Sequence, residues 1–280
     1  MNTIKKVFLT LSCMLLLVSA GCRQQLTTGK HELPPAEDGA DSHLEESPRH
    51  GEWVTYTAPG GDEVRAWLVY PERDDKAPVV IVIHEIYGLT DWVRAVTDQL
   101  ASEGFIAIAP DYLSGKTEDG SEGLSKDEAR NLIMDLEPDE IVSLTNGAAR
   151  YATSLDAATE KFATVGFCWG GAQSFYYATQ QPDLTAAVVY YGSSPQDITK
   201  LHDIGAATLG LYGSEDNRVL ETVSKAEEEL HRMGKPHVQY VYEGAGHAFL
   251  RQQDGMDGAN MKAAEEAWPT TIEFLMSTLE

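Results

Sequence analysis

The chain has 280 residues and a formal net charge of −23 at pH 7. A hydrophobic fraction of 42% excludes a disordered chain and a multi-span membrane protein, and this length can bury a large core. The acidic field repels polyanions, so we expect no nucleic-acid partner and no binding to anionic lipid headgroups.

Residues 1–21 have the pattern of a secretory signal. Two lysines precede an apolar run at 7–18 that is short for a bilayer span, and small residues follow at 19–21. The stretch "SAGC" resembles the lipobox of bacterial lipoproteins, which implies that Cys22 is lipidated and anchors the protein in the cell envelope. The outer membrane or the periplasmic face is then the expected location. A cleaved signal without lipid, giving a secreted or periplasmic protein, is the alternative.

Residues 22–50 are polar, contain prolines and show no apolar period, which predicts a flexible tether. His31, His43 and His50 lie in this segment and are expected to be solvated. Residues 51–280 form the predicted folded domain. Its one cysteine, Cys168, has no partner there for an internal disulfide.

Strand and helix patterns alternate from residue 52 onward. Segments 52–58 and 64–70 flank the turn "PGGDE" and predict a hairpin, and "APVVIVIHE" predicts a strand buried on both faces. The other predicted elements are a helix at 90–103, a strand at 104–110, a helix beginning with the capping box Ser125–Glu128, a helix at 138–155, a strand at 162–167, a helix at 171–180, strands at 186–192 and 207–213, a helix at 219–233, a strand at 237–243 and a helix at 261–279. This order predicts an α/β fold, with a mostly parallel central sheet and helices on both faces.

Cys168 lies at the carboxyl end of a predicted strand, where parallel sheets place their functional sites. Gly166 and Gly170 flank it in the pattern G-x-C-x-G. This pattern resembles the nucleophile elbow of α/β-hydrolases, with cysteine in place of serine. A tight glycine turn around a buried structural cysteine is the alternative.

A cysteine nucleophile needs a base and an acid that orients the base. Asp216 and His247 follow Cys168 in that order, each just after a predicted strand, and Glu215 is the alternative acid. The backbone N–H of Trp169 is the expected oxyanion donor, and the N–H of Ile86 is the second.

The stretch "HEIYG" is not a zinc-protease motif, because Gly88 stands where the second histidine would be. We therefore expect no zinc site of this type, and hydrolysis through a cysteine nucleophile needs no metal and no organic cofactor.

Over residues 52 to 280 the sequence resembles the dienelactone hydrolase family of α/β-hydrolases. The resemblance is carried by "HEIYGLTDWVRA", "GFIAIAPDYLSG", "GFCWGG", "YYG", "YGSEDNRV" and "GAGHAFLR". It implies a Cys168–His247–Asp216 triad and a Glu85 that contacts the resting thiol. It also implies that Arg251 binds a substrate carboxylate and pairs with Glu85.

Gly115 stands where the family has a second carboxylate-binding arginine. Either the neighbouring Lys116 takes its place, or the substrate differs from dienelactone. The resemblance thus predicts a hydrolase that cleaves a small ester or lactone bearing a carboxylate, through a thioester acyl-enzyme. We separately expect a monomer. A general carboxylesterase or thioesterase, or a non-catalytic binding lipoprotein on the same fold, are the alternatives.

Overall fold

One eight-stranded sheet forms the centre of the structure, a computed structural model that describes residues 31–280. The strand order is β1-β2-β4-β3-β5-β6-β7-β8. The β1–β2 and β2–β4 pairs are antiparallel and the others are parallel. The strands are β1 Gly51–Thr57, β2 Glu63–Val69, β3 Ala77–Ile83, β4 Ile106–Pro110, β5 Ala158–Phe167, β6 Ala186–Tyr190, β7 Ala207–Gly213 and β8 His237–Tyr242.

Helices cover both faces of the sheet, as the alternating pattern predicts. Successive residues of β3 show why: Ile81 packs into the apolar cluster on one face and Val82 into the cluster on the other. None of the helices in the described part of the chain is long and apolar enough to cross a membrane. The α-helices within residues 31–280 are α1 Ala40–Glu46, α2 Asp91–Ser102, α3 Lys126–Met134, α4 Pro138–Thr153, α5 Trp169–Ala178, α6 Asn217–Arg232 and α7 Ala259–Leu279.

The predicted signal segment and Cys22 lie outside the described residues. The later part of the predicted tether, residues 31–50, is not free but packs against α2. Ala40 is buried, His31 Nδ1 lies 2.7 Å from Glu103 Oε2, and His43 Nε2 lies 2.8 Å from Asp98 Oδ2. The prediction of a flexible tether with solvated histidines is therefore wrong for this part, although the His50 side chain is exposed.

Asp98 is the main attachment point for this segment. Its buried carboxylate accepts hydrogen bonds from Ser47 Oγ at 2.7 Å and from the Arg49 guanidinium, in addition to its contact with His43. Burial alone would raise the pKa of Asp98, but these three partners outweigh burial and lower the pKa to about 2. These attachments are polar contacts between residues far apart in sequence, so hydropathy patterning does not reveal them.

We expect Asp98→Asn to lower the free energy of unfolding at pH 7 by about 2 kcal/mol, because the shift from 3.8 to about 2 corresponds to that energy. A lowered pKa stabilises the fold above the unfolded-state value. The difference between wild type and variant should therefore shrink as the pH falls from about 4 toward 2. Urea denaturation measures the energy, and trypsin cleavage after Arg49, expected to be faster in the variant, reports release of the segment.

Asp91→Asn on the same helix is the matched control, because Asp91 is exposed and forms a surface pair with Arg94. Equal losses of stability in the two variants would contradict the role assigned to Asp98.

Candidate active site

Cys168 occupies a strained turn between β5 and α5. Its φ of 56° and ψ of −114° are unfavourable for a residue with a side chain. A Cβ at Gly166 would overlap the backbone of Gly170, and a Cβ at Gly170 would overlap the carbonyl oxygens of Ile83 and His84. The two glycines thus allow the close approach of β5, α5 and β3 that raises the half-buried thiol at the carboxyl edge of the sheet.

Three side chains from three strand ends meet at this edge. Asp216 precedes α6 just beyond β7, and His247 follows β8. His247 Nε2 lies 3.1 Å from Cys168 Sγ, and His247 Nδ1 lies 2.5 Å from the buried Asp216 Oδ2. Glu215, the alternative acid, is exposed and accepts a hydrogen bond from the neighbouring Ser214 instead.

Electrostatics favour a proton on the His247 imidazole. Burial alone would lower the pKa of His247, but its hydrogen bonds with Asp216 and Cys168 outweigh burial and raise the pKa to about 9. The Nε2 atom of the ring can therefore take a proton from the thiol, while the Asp216 carboxylate holds the ring in place through Nδ1. This arrangement suits nucleophilic attack by sulfur.

Glu85 and Arg251 form a buried ion pair beside the thiol. The Nε atom of Arg251 lies 2.6 Å from Glu85 Oε2, as the resemblance implies. Burial raises the pKa of Glu85 despite the charges of Arg251 and His247. The hydrogen-bond partner of Cys168 Sγ among residues 31–280 is His247, so the implied contact between Glu85 and the thiol is not found.

A cavity of about 570 Å³ opens above these groups. Two exposed arginines in its wall, Arg130 and Arg218, form no ion pair within residues 31–280. Sequence reasoning missed both, although Arg218 lies two positions after Asp216, which is a signal of proximity. The lining residues are Glu85, Ile86, Tyr87, Arg130, Met134, Cys168, Trp169, Ala172, Tyr191, Ser193, Arg218, His247 and Arg251.

The predicted oxyanion donors, Ile86 and Trp169, both line this cavity. Their backbone N–H groups have no acceptor among the described residues, and that of Trp169 belongs to the first turn of α5. His84 supports Trp169 from below, since the two rings stack with centroids 5.6 Å apart. The buried His84 Nε2 accepts the N–H of Tyr112 at 3.3 Å, so this ring serves a structural role that the sequence did not reveal.

Lys116 does not line this cavity, so the structure does not bring it together with the other predicted site residues. Its Nζ lies 2.6 Å from Glu140 Oε1 near the start of α4. Gly115, with a φ of 77°, forms the turn before Lys116. The ion pair with Glu140 offsets the positive charge of the lysine outside the cavity. No group of three or more His, Cys, Asp or Glu side chains in residues 31–280 is placed to hold a metal ion.

A family model described as "Dienelactone hydrolase family" matches residues 64–279. The chain belongs to the dienelactone hydrolase family. A relative from Escherichia coli named "Putative carboxymethylenebutenolidase" is 28% identical over 261 residues, covering 89% of this chain and 96% of the relative. A relative of the same name from Saccharolobus solfataricus is 29% identical over 247 residues, covering 77% and 94%.

Solved structures show the same fold for this dienelactone hydrolase family member. Dienelactone hydrolase from Anabaena variabilis is 20% identical with a TM-score of 0.63, covering 83% of this chain and 99% of the neighbour. A dienelactone hydrolase-like promiscuous phosphotriesterase from metagenomic libraries is 23% identical with a TM-score of 0.70 and the same coverage. These structures confirm the α/β-hydrolase fold, and the family model together with the curated relatives confirms a hydrolase of the dienelactone hydrolase type.

We expect the stabilising effect of His247 to depend on pH. A raised pKa stabilises the fold fully below the unfolded-state value of 6.5, and this effect is lost as the pH rises through about 9. The difference in unfolding temperature between wild type and His247→Gln should therefore be larger at pH 6 than at pH 9.5. Thermal denaturation at both pH values measures it.

His231→Gln, on an exposed position of α6, is the matched control for general pH effects. A difference for His247→Gln that is equal at pH 6 and pH 9.5 would contradict the assigned ion pair.

Proposed function

We propose that this dienelactone hydrolase family member cleaves an ester or lactone through a thioester on Cys168. The observation that carries the proposal is the continuous hydrogen-bonded chain from Cys168 Sγ through the His247 ring to Asp216. The order and placement of these groups match those of a nucleophile, a base and an orienting acid.

In the first half-reaction His247 Nε2 takes the thiol proton, and the thiolate attacks the carbonyl carbon of the substrate. The negative charge that develops on the carbonyl oxygen accepts hydrogen bonds from the N–H groups of Ile86 and Trp169. Collapse of this tetrahedral species breaks the C–O bond. His247 gives its proton to the leaving oxygen, and an acyl thioester remains on Cys168.

In the second half-reaction His247 removes a proton from water, and the hydroxide formed attacks the thioester carbon. The same N–H groups stabilise the second oxyanion. The C–S bond then breaks, His247 returns the proton to sulfur, and the carboxylic acid product leaves. Asp216 holds the imidazole in one orientation throughout.

The cavity suits a small molecule that carries a negative charge. Its volume is in the range of small-ligand sites, and Tyr87, Trp169 and Tyr191 supply apolar wall. Arg130 and Arg218 supply positive charge that no carboxylate within residues 31–280 neutralises. A substrate carboxylate would thus meet an attractive field at the cavity wall even though the chain as a whole is acidic.

A general carboxylesterase or thioesterase acting on neutral substrates is the second candidate. This candidate is favoured by the ion pairs of Arg251, because its guanidinium already contacts the carboxylates of Glu85 and Glu37. Comparing rates for neutral and anionic esters distinguishes the two candidates.

We expect Cys168→Ala to lower the hydrolysis of p-nitrophenyl acetate and of dienelactone by about 10³-fold or more, because the nucleophile is lost. The measurement is the release of product by the purified full-length chain, with circular dichroism to show that the variant is folded. Cys22→Ser is the matched control and should retain hydrolysis.

Unchanged hydrolysis in folded Cys168→Ala would exclude the thioester mechanism. If the wild type cleaves neither substrate and Cys168 resists iodoacetamide, a binding protein on a hydrolase fold is the better description.

We also propose that Cys22 carries the lipid anchor in a bacterial envelope, on the strength of the "SAGC" motif. Labelled palmitate should enter the wild-type chain in a lipoprotein-processing host and should be absent from Cys22→Ser. Equal labelling of both chains would contradict this anchor.

A further inference from the structure

Glu37 belongs to the N-terminal segment, yet it is bonded to an arginine of the catalytic cavity. Its carboxylate forms an ion pair with Arg251 Nη1, and its backbone N–H donates to the carbonyl oxygen of Arg251 at 3.0 Å. The second carboxylate oxygen lies 2.6 Å from Lys126 Nζ. A residue outside the predicted domain therefore reaches the wall of the active-site cavity.

The segment is held in place by other contacts, so this arrangement does not depend on the ion pair alone. Trp92 Nε1 donates to the carbonyl oxygen of Pro35 at 3.1 Å, and Gln253 Nε2 donates to that of Pro34 at 2.9 Å. Both donors belong to the folded core, and Trp92 is buried. The backbone before Glu37 is thus anchored by two side chains of the folded domain.

Arg251 lies between two cavities. Its side chain is 8% exposed and lines the catalytic cavity on one side. On the other side it lines a smaller cavity of about 340 Å³, whose wall includes Glu37. Glu85 contacts Nε and Glu37 contacts Nη1, so two carboxylates flank one guanidinium.

Glu37 carries its negative charge at neutral pH. Burial would raise the pKa of Glu37, but the hydrogen bond with Lys126 and the charge of Arg251 outweigh burial and lower the pKa. The field of Arg251 inside the catalytic cavity is consequently offset by a carboxylate that takes no part in the proposed chemistry.

We propose that Glu37 is a positioning residue that sets the selectivity of the cavity between neutral and anionic substrates by offsetting the charge of Arg251. The inference deepens the proposed function and rests on it. With Glu37 in place, Arg251 contributes little attraction to an incoming carboxylate. Glu37→Gln removes one of the two carboxylates that flank Arg251 and leaves Glu85 in place, so the field in the cavity becomes more positive and anionic substrates bind more tightly.

Alkylation of Cys168 in the full-length chain tests this without any need for hydrolysis. Iodoacetate and iodoacetamide have nearly the same shape, and in both cases the sulfur attacks the CH₂ carbon and iodide leaves, but only iodoacetate is an anion. We expect Glu37→Gln to raise the iodoacetate-to-iodoacetamide rate ratio at Cys168 by about tenfold at low salt. Mass spectrometry of the Cys168 peptide measures both rates at one pH.

The matched ester pair is p-nitrophenyl acetate and p-nitrophenyl hemisuccinate, which share a leaving group. We expect Glu37→Gln to lower KM for the hemisuccinate, with a much smaller change in kcat and in the constants for the acetate. The effect should weaken as ionic strength rises, because salt screens the charge of Arg251.

Asp38→Asn is the control, because it removes a negative charge from the residue next to Glu37. The Asp38 side chain is exposed and has no ion-pair partner in the described part of the chain. Its rate ratio should stay within about twofold of wild type, as expected for a screened surface charge. Glu37→Asp restores the charge and should bring the ratio back toward the wild-type value. A purely structural role would change both alkylation rates together.

An unchanged ratio in Glu37→Gln, or an equal rise in Asp38→Asn, would overturn the inference. Failure of the proposed function has a different signature, which is ester hydrolysis that survives Cys168→Ala. A Cys168 that reacts with neither reagent would overturn both, because the inference requires small anions to reach the thiol.

Discussion

The close approach of three backbones at Cys168 is the constraint on which the site depends. Carbonyl oxygens at the end of β3 and the first turn of α5 approach so closely that positions 166 and 170 have no room for a Cβ. This crowding holds Cys168 at a positive φ and directs its thiol away from the sheet. The strain is sustained because β3 is buried throughout and pairs with residues 162–166 of β5, which are buried as well.

The parallel sheet then determines what the thiol meets. Strands β5, β7 and β8 run in the same direction, so the loops after them open on the same edge of the sheet. Asp216 and His247 sit in two of these loops, within hydrogen-bonding distance of each other and of the sulfur. Elements far apart in sequence thus converge because of strand direction, and no special long-range contact is needed to explain it.

This dependence on strand direction explains how much the sequence could predict. The alternation of strands and helices and the buried run of β3 follow from local patterns, and the elbow glycines follow from a steric rule. Once the strands are taken to be parallel, the positions of Asp216 and His247 at one edge of the sheet follow as well. Arg130 could not be found in this way, since a cavity-lining arginine on α3 looks the same in sequence as an arginine on any exposed helix face.

The N-terminal segment shows the limit of pattern reasoning most clearly. Residues 31–50 lack an apolar period because polar bonds to Asp98 and Arg251, together with a few apolar contacts of Leu33, Ala40 and Leu44, attach them to the core. Such bonds are specified by two distant partners at once, so neither partner alone carries a signal. Lys116 shows the same limit, because its ion-pair partner, Glu140, lies on another element. For charged side chains the sequence gives the charge, but the tertiary structure decides which opposite charge neutralises it. Among residues 31–280, Arg130 and Arg218 have no ion-pair partner and are available to a ligand, whereas Arg251 is paired with Glu85 and Glu37.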